Sequence, residues 1–203
     1  MKKLFCLLFL FTSLSAYSQT LKSSGIIVGA GRGVTSYSLP QSVADVPVSI
    51  DKANSYFKSK LALELGYRFR LQPTKSRFFY NIDLLAGYNR HEYGANFMLG
   101  KNPTYAGPSG TRDVFSASVA GAVNYTIVKG LSVGIGVQPT YSFSGAKAFD
   151  IPLFATVAYD LKYVELAFSY KQGLLTNYKV NPFENLRLSQ WQFSVYVPLF
   201  RNR

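Results

Sequence analysis

The side chains able to do chemistry are few, and they are spread along the chain. His91 is the single histidine, and it stands beside Glu92. A neutral imidazole can act as general base for a serine hydroxyl, as a lipid acyl hydrolase or transferase would require. Ser116 and Ser142 are the hydroxyls that could approach the same rim. No local Ser–His motif joins them, so the expectation is an ordinary polar residue where a strand meets a loop, and no enzyme. One histidine cannot assemble a multi-histidine metal site, and the one cysteine, Cys6, falls in an N-terminal apolar run. No metal is expected. Gly29-Ala30-Gly31-Arg32-Gly33 superficially resembles a phosphate-cradling loop, but its spacing is wrong and no helix-forming pattern follows it. Strand glycines more often serve curvature or close packing, so no cofactor is expected. The remaining ionisable set is Glu64, Arg68, Arg70, Asp83, Asp160 and Glu165, with Lys171 further along. What those charges do depends on which face of which element carries them.

The elements are strands. Between Lys60 and Leu71 the chain alternates strictly, with Leu61, Leu63, Leu65, Tyr67, Phe69 and Leu71 on one parity. Lys60, Ala62, Glu64, Gly66, Arg68 and Arg70 occupy the other. A period of two makes one apolar and one polar face. Comparable stretches run from Phe78 to Tyr88, Phe115 to Ile127, Leu131 to Phe143, Ile151 to Leu161, Val164 to Tyr170 and Trp191 to Leu199. A first strand around Ile26, Val28 and Ala30 completes eight, although its glycines leave the choice of face open. Connections alternate in length. Gln72 to Ser76, Lys129-Gly130 and Asp160 to Tyr163 are tight turns. Ser36 to Ser55, Tyr93 to Asp113, Ser144 to Asp150 and Gln172 to Arg187 are longer links. The expected fold is an all-β, eight-stranded, antiparallel up-and-down transmembrane barrel.

Alternation alone suits a soluble barrel as well. Two features favour lipid on the outside. The polar face is built from Gly, Ala, Ser, Thr, Asn and Gln, which fill a narrow bore, rather than the Lys and Glu of a water-facing sheet. Aromatic residues gather at both ends of the strands. Tyr67, Phe69, Phe78, Tyr80, Tyr125 and Tyr159 flank the tight turns, and Tyr88, Phe115, Tyr141, Phe143, Tyr170 and Trp191 flank the longer links. Two girdles at two water–lipid boundaries are the expectation. Glu64, Arg68, Arg70, Asp83, Asp160 and Glu165 would then form a structural charge network within the lumen, because unpaired charges there would be heavily desolvated. A narrow pore for small solutes is the competing reading of the same residues.

Residues 1–18 read as a signal peptide, with Lys2 and Lys3 before the apolar Leu4–Phe11 run and Ala16-Tyr17-Ser18 before the cut. Residues 19–203 would form the barrel domain. Without Lys2 and Lys3, 20 Lys and Arg face 10 Asp and Glu, since the full chain has 22 and 10. No basic run or basic helix accompanies that excess, so nucleic acid is not expected. Positive charge dispersed beside apolar strands fits phosphate-bearing lipid better. Taken together, the strands, the alternating connections and the final Val197-Pro198-Leu199-Phe200 resemble the small outer-membrane β-barrels of Gram-negative bacteria, of OmpA/OmpX type. The resemblance implies an outer-membrane location and a non-enzymatic role through loops or wall, in envelope integrity, adhesion or assembly. The expected partners are outer-membrane lipid, including lipopolysaccharide phosphates, and another membrane protein.

Overall fold

The computed structural model describes residues 19–38, 42–43, 46–47, 49–51, 54–73, 76–99, 102–145, 147–175, 178–180 and 183–201. The signal-peptide expectation for residues 1–18 lies outside these. Eight long antiparallel strands close into a ring. They are β1 (Gln19–Ser38), β2 (Tyr56–Pro73), β3 (Phe78–Leu99) and β4 (Asn102–Val128). β5 runs Leu131–Val137 and resumes at Thr140–Ser142, and β6 runs Ala148–Asp150 and resumes at Leu153–Asp160. β7 (Glu165–Gln172) and β8 (Phe183–Arg201) complete the set. Each strand pairs with its chain neighbours, and β8 returns to β1 with Val28 opposite Val195. A closed sheet has no edge along its wall, which is what a strand structure in hydrocarbon requires.

The two faces sort as the alternation predicts. Outside, Leu65 is 58% exposed, Ile135 70%, Val157 50% and Phe193 48%. Inside, Ala120, Asn124 and Gln192 are buried. Each outward Leu, Ile or Phe keeps roughly half of its surface exposed, so removing that remainder from water would be worth about 1 kcal/mol. Distributed around the whole wall, that term leaves lipid as the only solvent in which this fold is at its minimum. Among the described residues no helix is long and apolar enough to cross a membrane; the strands do so instead. The open choice at β1 is resolved too: Ile26 and Val28 face out, and Ile27 and Gly29 face in.

Three features depart from the plain alternation. First, the link expected between Tyr93 and Asp113 is mostly strand, since β3 continues to Leu99 and β4 begins at Asn102. The two remain paired throughout, with Tyr93 opposite Gly110 and Phe97 opposite Tyr105. Second, Leu199 and Phe200 are adjacent yet both exposed. A register shift, with Ser24 opposite Phe200 and Gly25 opposite Pro198, leaves Leu199 as the extra residue and restores an outward position for Phe200. Third, Lys60 belongs to the outside. The pairing passes from Ser59–His91 to Leu61–Arg90, so Lys60 is extruded beside Leu61 instead of pointing into the lumen.

Candidate functional site

The lumen is filled in layers, and the strand register dictates them. Arg68 and Arg70 lie two apart on β2 and so share the inner face; Asp83 and Asn81 are their opposite numbers on β3. Arg68 donates from Nε to Asp83 Oδ1 and from Nη2 to Asp83 Oδ2, both at 2.8 Å. Its Nη1 donates across the bore to Glu165 Oε1 at 3.0 Å. Arg70 donates to Glu165 Oε2 at 2.7 Å and to Asn81 Oδ1 at 3.1 Å. Both guanidinium groups also lie against aromatic faces, Arg70 4.5 Å from the Phe79 centroid and Arg68 5.3 Å from that of Tyr196. Glu165 begins β7, far around the ring from β2 and β3, so this layer ties opposite walls together.

Next along the axis is an apolar layer of Ile27, Leu85, Ala120 and Tyr196, with Phe154 packed on it. Tyr196 satisfies its hydroxyl by donating to Ser23 Oγ at 3.0 Å. Then comes a second polar layer around Glu64. Lys171 Nζ donates to its two oxygens at 2.8 and 2.7 Å, and the amides of Gln138 and Gln192 donate at 2.8 Å each. Gly29 makes room for that reach, because a Cβ there would collide with the Gln192 side-chain amide. At Gly25, Gly31 and Gly33 a Cβ would instead meet the backbone carbonyls of Val197, Trp191 and Ser189 on the neighbouring β8.

A final apolar layer caps the loop end: Phe57, Ala95, Val114, Ala148 and Leu186. His91 is buried within it at 1% exposure, its ring centroid 5.3 Å from that of Phe57. His91 is therefore a core residue, where the sequence pointed to a polar position at the rim. It pairs across the sheet with Arg112, four residues along β4 from Ser116. At about 3.4 Å per residue, that separation is about 14 Å along the strand, well beyond a hydrogen bond. Ser142 lies opposite Ser116, so it is no nearer on that strand axis. The serine–histidine pairing that acyl chemistry needs is not made by these residues.

Asp160 stands apart from the charge layers. It sits at the turn end, where it pairs with Arg201 at 3.3 Å and accepts the backbone N–H of Lys162 at 2.9 Å. Lys162 has a φ of 71°, and that local bond supports the strained turn. Around it opens a cavity of about 810 Å³ lined by Lys22, Arg70, Asp160, Lys162, Glu165 and Arg201 among others. Its inner boundary is the Arg70–Glu165 pair.

The aromatic residues singled out above lie in outward clusters near the two ends. Tyr67 packs edge-on against Phe69 at 5.0 Å, and Phe78 against Tyr125 at 4.9 Å. At the other end Tyr88 meets Phe115 at 5.2 Å and Tyr170 meets Trp191 at 4.5 Å. Tyr141, Phe143 and Tyr159 are exposed on the outer wall, and Tyr80 is half-buried there. Sequence reasoning overlooked Arg32 and Lys60, which stand on the outside next to this upper set. Nothing in the alternation signals the bulge that places Lys60 there.

No protein-family model and no curated protein matches the chain. Solved structures do resemble it. Neisserial surface protein A aligns with a TM-score of 0.48 at 13% identity, covering 86% of this chain and 96% of that one. Ail, the attachment invasion locus protein of Yersinia pestis, solved with the heparin analogue sucrose octasulfate, aligns at 0.42 and 12%, covering 89% and 100%. The outer membrane protease OmpT from Escherichia coli aligns at 0.29 and 9%, covering 89% and 94%. The architecture of the present chain is established by its own closed strand pairing and outward apolar wall.

Proposed function

We propose that the protein is an integral outer-membrane barrel that conducts no solutes and catalyses no reaction, and works through its lipid-facing wall and loop end. The reading rests on one observation: two hydrogen-bonded charge layers and two apolar layers cross the bore. Burying charges costs several kcal/mol per ion unless partners are in place, so a half-broken layer is far less stable than either a sealed or a redesigned one. The upper and lower aromatic clusters serve as girdles at the two lipid boundaries. Contact with outer-membrane lipid follows from that wall, and envelope integrity, adhesion or assembly with another membrane protein are the roles open to such a surface. In planar bilayers the folded protein is expected to be silent at neutral pH. Reproducible stepwise conductance would overturn the sealed-lumen reading. Crosslinking in intact cells followed by mass spectrometry would identify an assembly partner.

A further inference from the structure

The outer wall carries charge where the alternation otherwise reserves hydrocarbon. Following the register around the sheet, Tyr170 lies opposite Trp191 and Trp191 opposite Arg32. The pairs Gly31–Ala62 and Gly33–Ser59 bracket Arg32 against the bulged Lys60 and Leu61. Leu61 then lies opposite Arg90, and Arg90 opposite Asp113. The upper aromatic row is thus continued by a row of cations on three adjacent strands. Arg32 donates from Nε to the Lys60 carbonyl at 3.1 Å, which holds its guanidinium across the β1–β2 seam. Lys58 and Lys60 share Glu92 at 3.6 and 3.1 Å, and Arg90 pairs with Asp113 at 3.3 Å. Four cations are thereby set against two carboxylates, and Arg32 makes no ion pair with a described residue.

Directly toward the membrane from this cluster, the same strands expose Ile26, Val28, Leu61, Leu63 and Leu65. A cationic head position contiguous with an apolar strip fits an amphiphile better than a free anion. A guanidinium offers phosphate a two-pronged hydrogen bond, and a neighbouring ammonium adds a mobile point charge. Net positive charge beside hydrocarbon also needs a counter-ion, because charge at that depth is costly when uncompensated. We infer that Arg32, Lys60 and Arg90, assisted by Lys58, bind the phosphate of a phosphorylated glycolipid of the outer leaflet, with its acyl chains along the Val28–Leu65 strip. This inference rests on the proposed membrane orientation, with the loop end outward.

The test uses the folded full-length protein in detergent and native mass spectrometry with lipid A as probe. One phosphorylated lipid retained per chain is expected. The triple variant Arg32→Gln/Lys60→Gln/Arg90→Gln should retain it at least about tenfold less, since three charge-assisted contacts to the phosphate are lost. A charge-matched control, Lys22→Gln/Lys129→Gln/Lys162→Gln at the turn end, should retain it like the parent. Equal loss in both variants, or equal retention of dephosphorylated lipid A, would overturn the site. Pyrophosphate binding as tightly as the lipid would overturn the amphiphile assignment. Bilayer recordings on the same preparations separate the two readings: a silent barrel that ignores lipid A sinks the site alone, whereas a conducting one sinks the sealed lumen.

Discussion

Glu64 gives the sharpest test of the layered lumen, because four hydrogen bonds converge on it from β7, β8 and the break between the two parts of β5. Lys171 supplies two of them and Gln138 and Gln192 one each. Glu64→Gln keeps the shape and one acceptor oxygen but removes the charge, leaving the Lys171 ammonium buried without its counter-ion. Breaking one side of a buried pair costs about 3–5 kcal/mol. Removing both sides with Glu64→Gln/Lys171→Met restores a neutral layer, and the expected cost falls to about 1–2 kcal/mol, since the orphaned charge is gone. The assay is urea unfolding of the barrel in lipid vesicles, followed by the fluorescence of Trp191. That residue is the one tryptophan and stands 53% exposed on the outer wall, so it reports the loss of the lipid-facing surface. A single variant within about 1 kcal/mol of the parent would refute the argument, as would a double variant costing the sum of the singles.

One further outcome follows from the geometry. Gly29→Ala should destabilise the barrel by about 1–3 kcal/mol, because the Gln192 amide must swing away to admit the methyl and so gives up its hydrogen bond to the buried Glu64 carboxylate. Gln192→Ala in the same chain should recover part of the loss, and an additive double variant would place the strain elsewhere.

Much of the wall could be read directly from the residues, and the reason is physical. Between Leu61 and Leu71 each residue must choose lipid or lumen, so chemistry alternates with geometry. Where the choice lapses, legibility lapses with it. The β3–β4 ribbon beyond Tyr93 reads as a loop because its residues do not alternate and Gly, Pro and Asn recur among them, yet its backbone stays paired to Leu99. A bulge hides in the same way, since a period of two carries no mark of the one extra residue that inverts it, and Lys60 is the case; Phe200 does show in the sequence, as an apolar residue that breaks the parity of Trp191 to Leu199. Asp160 kept an inner-face parity, but parity does not report height, and it lies in the turn beside Arg201 rather than among the charge layers. His91 was misread for a related reason. Its neighbours Phe57 and Leu186 come from β2 and β8, and only the assembled barrel shows that together they enclose an apolar cap.

The lumen charges also answer a question the apolar wall cannot. Lipid rewards any outward hydrocarbon alike, so the wall barely distinguishes one register from its neighbour shifted by two. The inner face does. Arg68 meets Asp83 and Arg70 meets Asn81 only in the observed pairing of β2 with β3, and Glu165 must arrive at the same height from β7. A slip of one residue would turn both arginines outward at the depth of the lower girdle, at up to about 1 kcal/mol each, and would leave Asp83 and Glu165 buried without their partners, at about 3–5 kcal/mol for a broken pair. A slip of two would keep them inside but strand the carboxylates at the wrong level. The layers therefore select the register as well as close the bore. On this view, replacing Arg68 and Asp83 together by apolar residues should cost little stability yet slow the approach to a single folded band on unheated gels. Folding at the parent rate would show that the turns and bulges fix the register unaided.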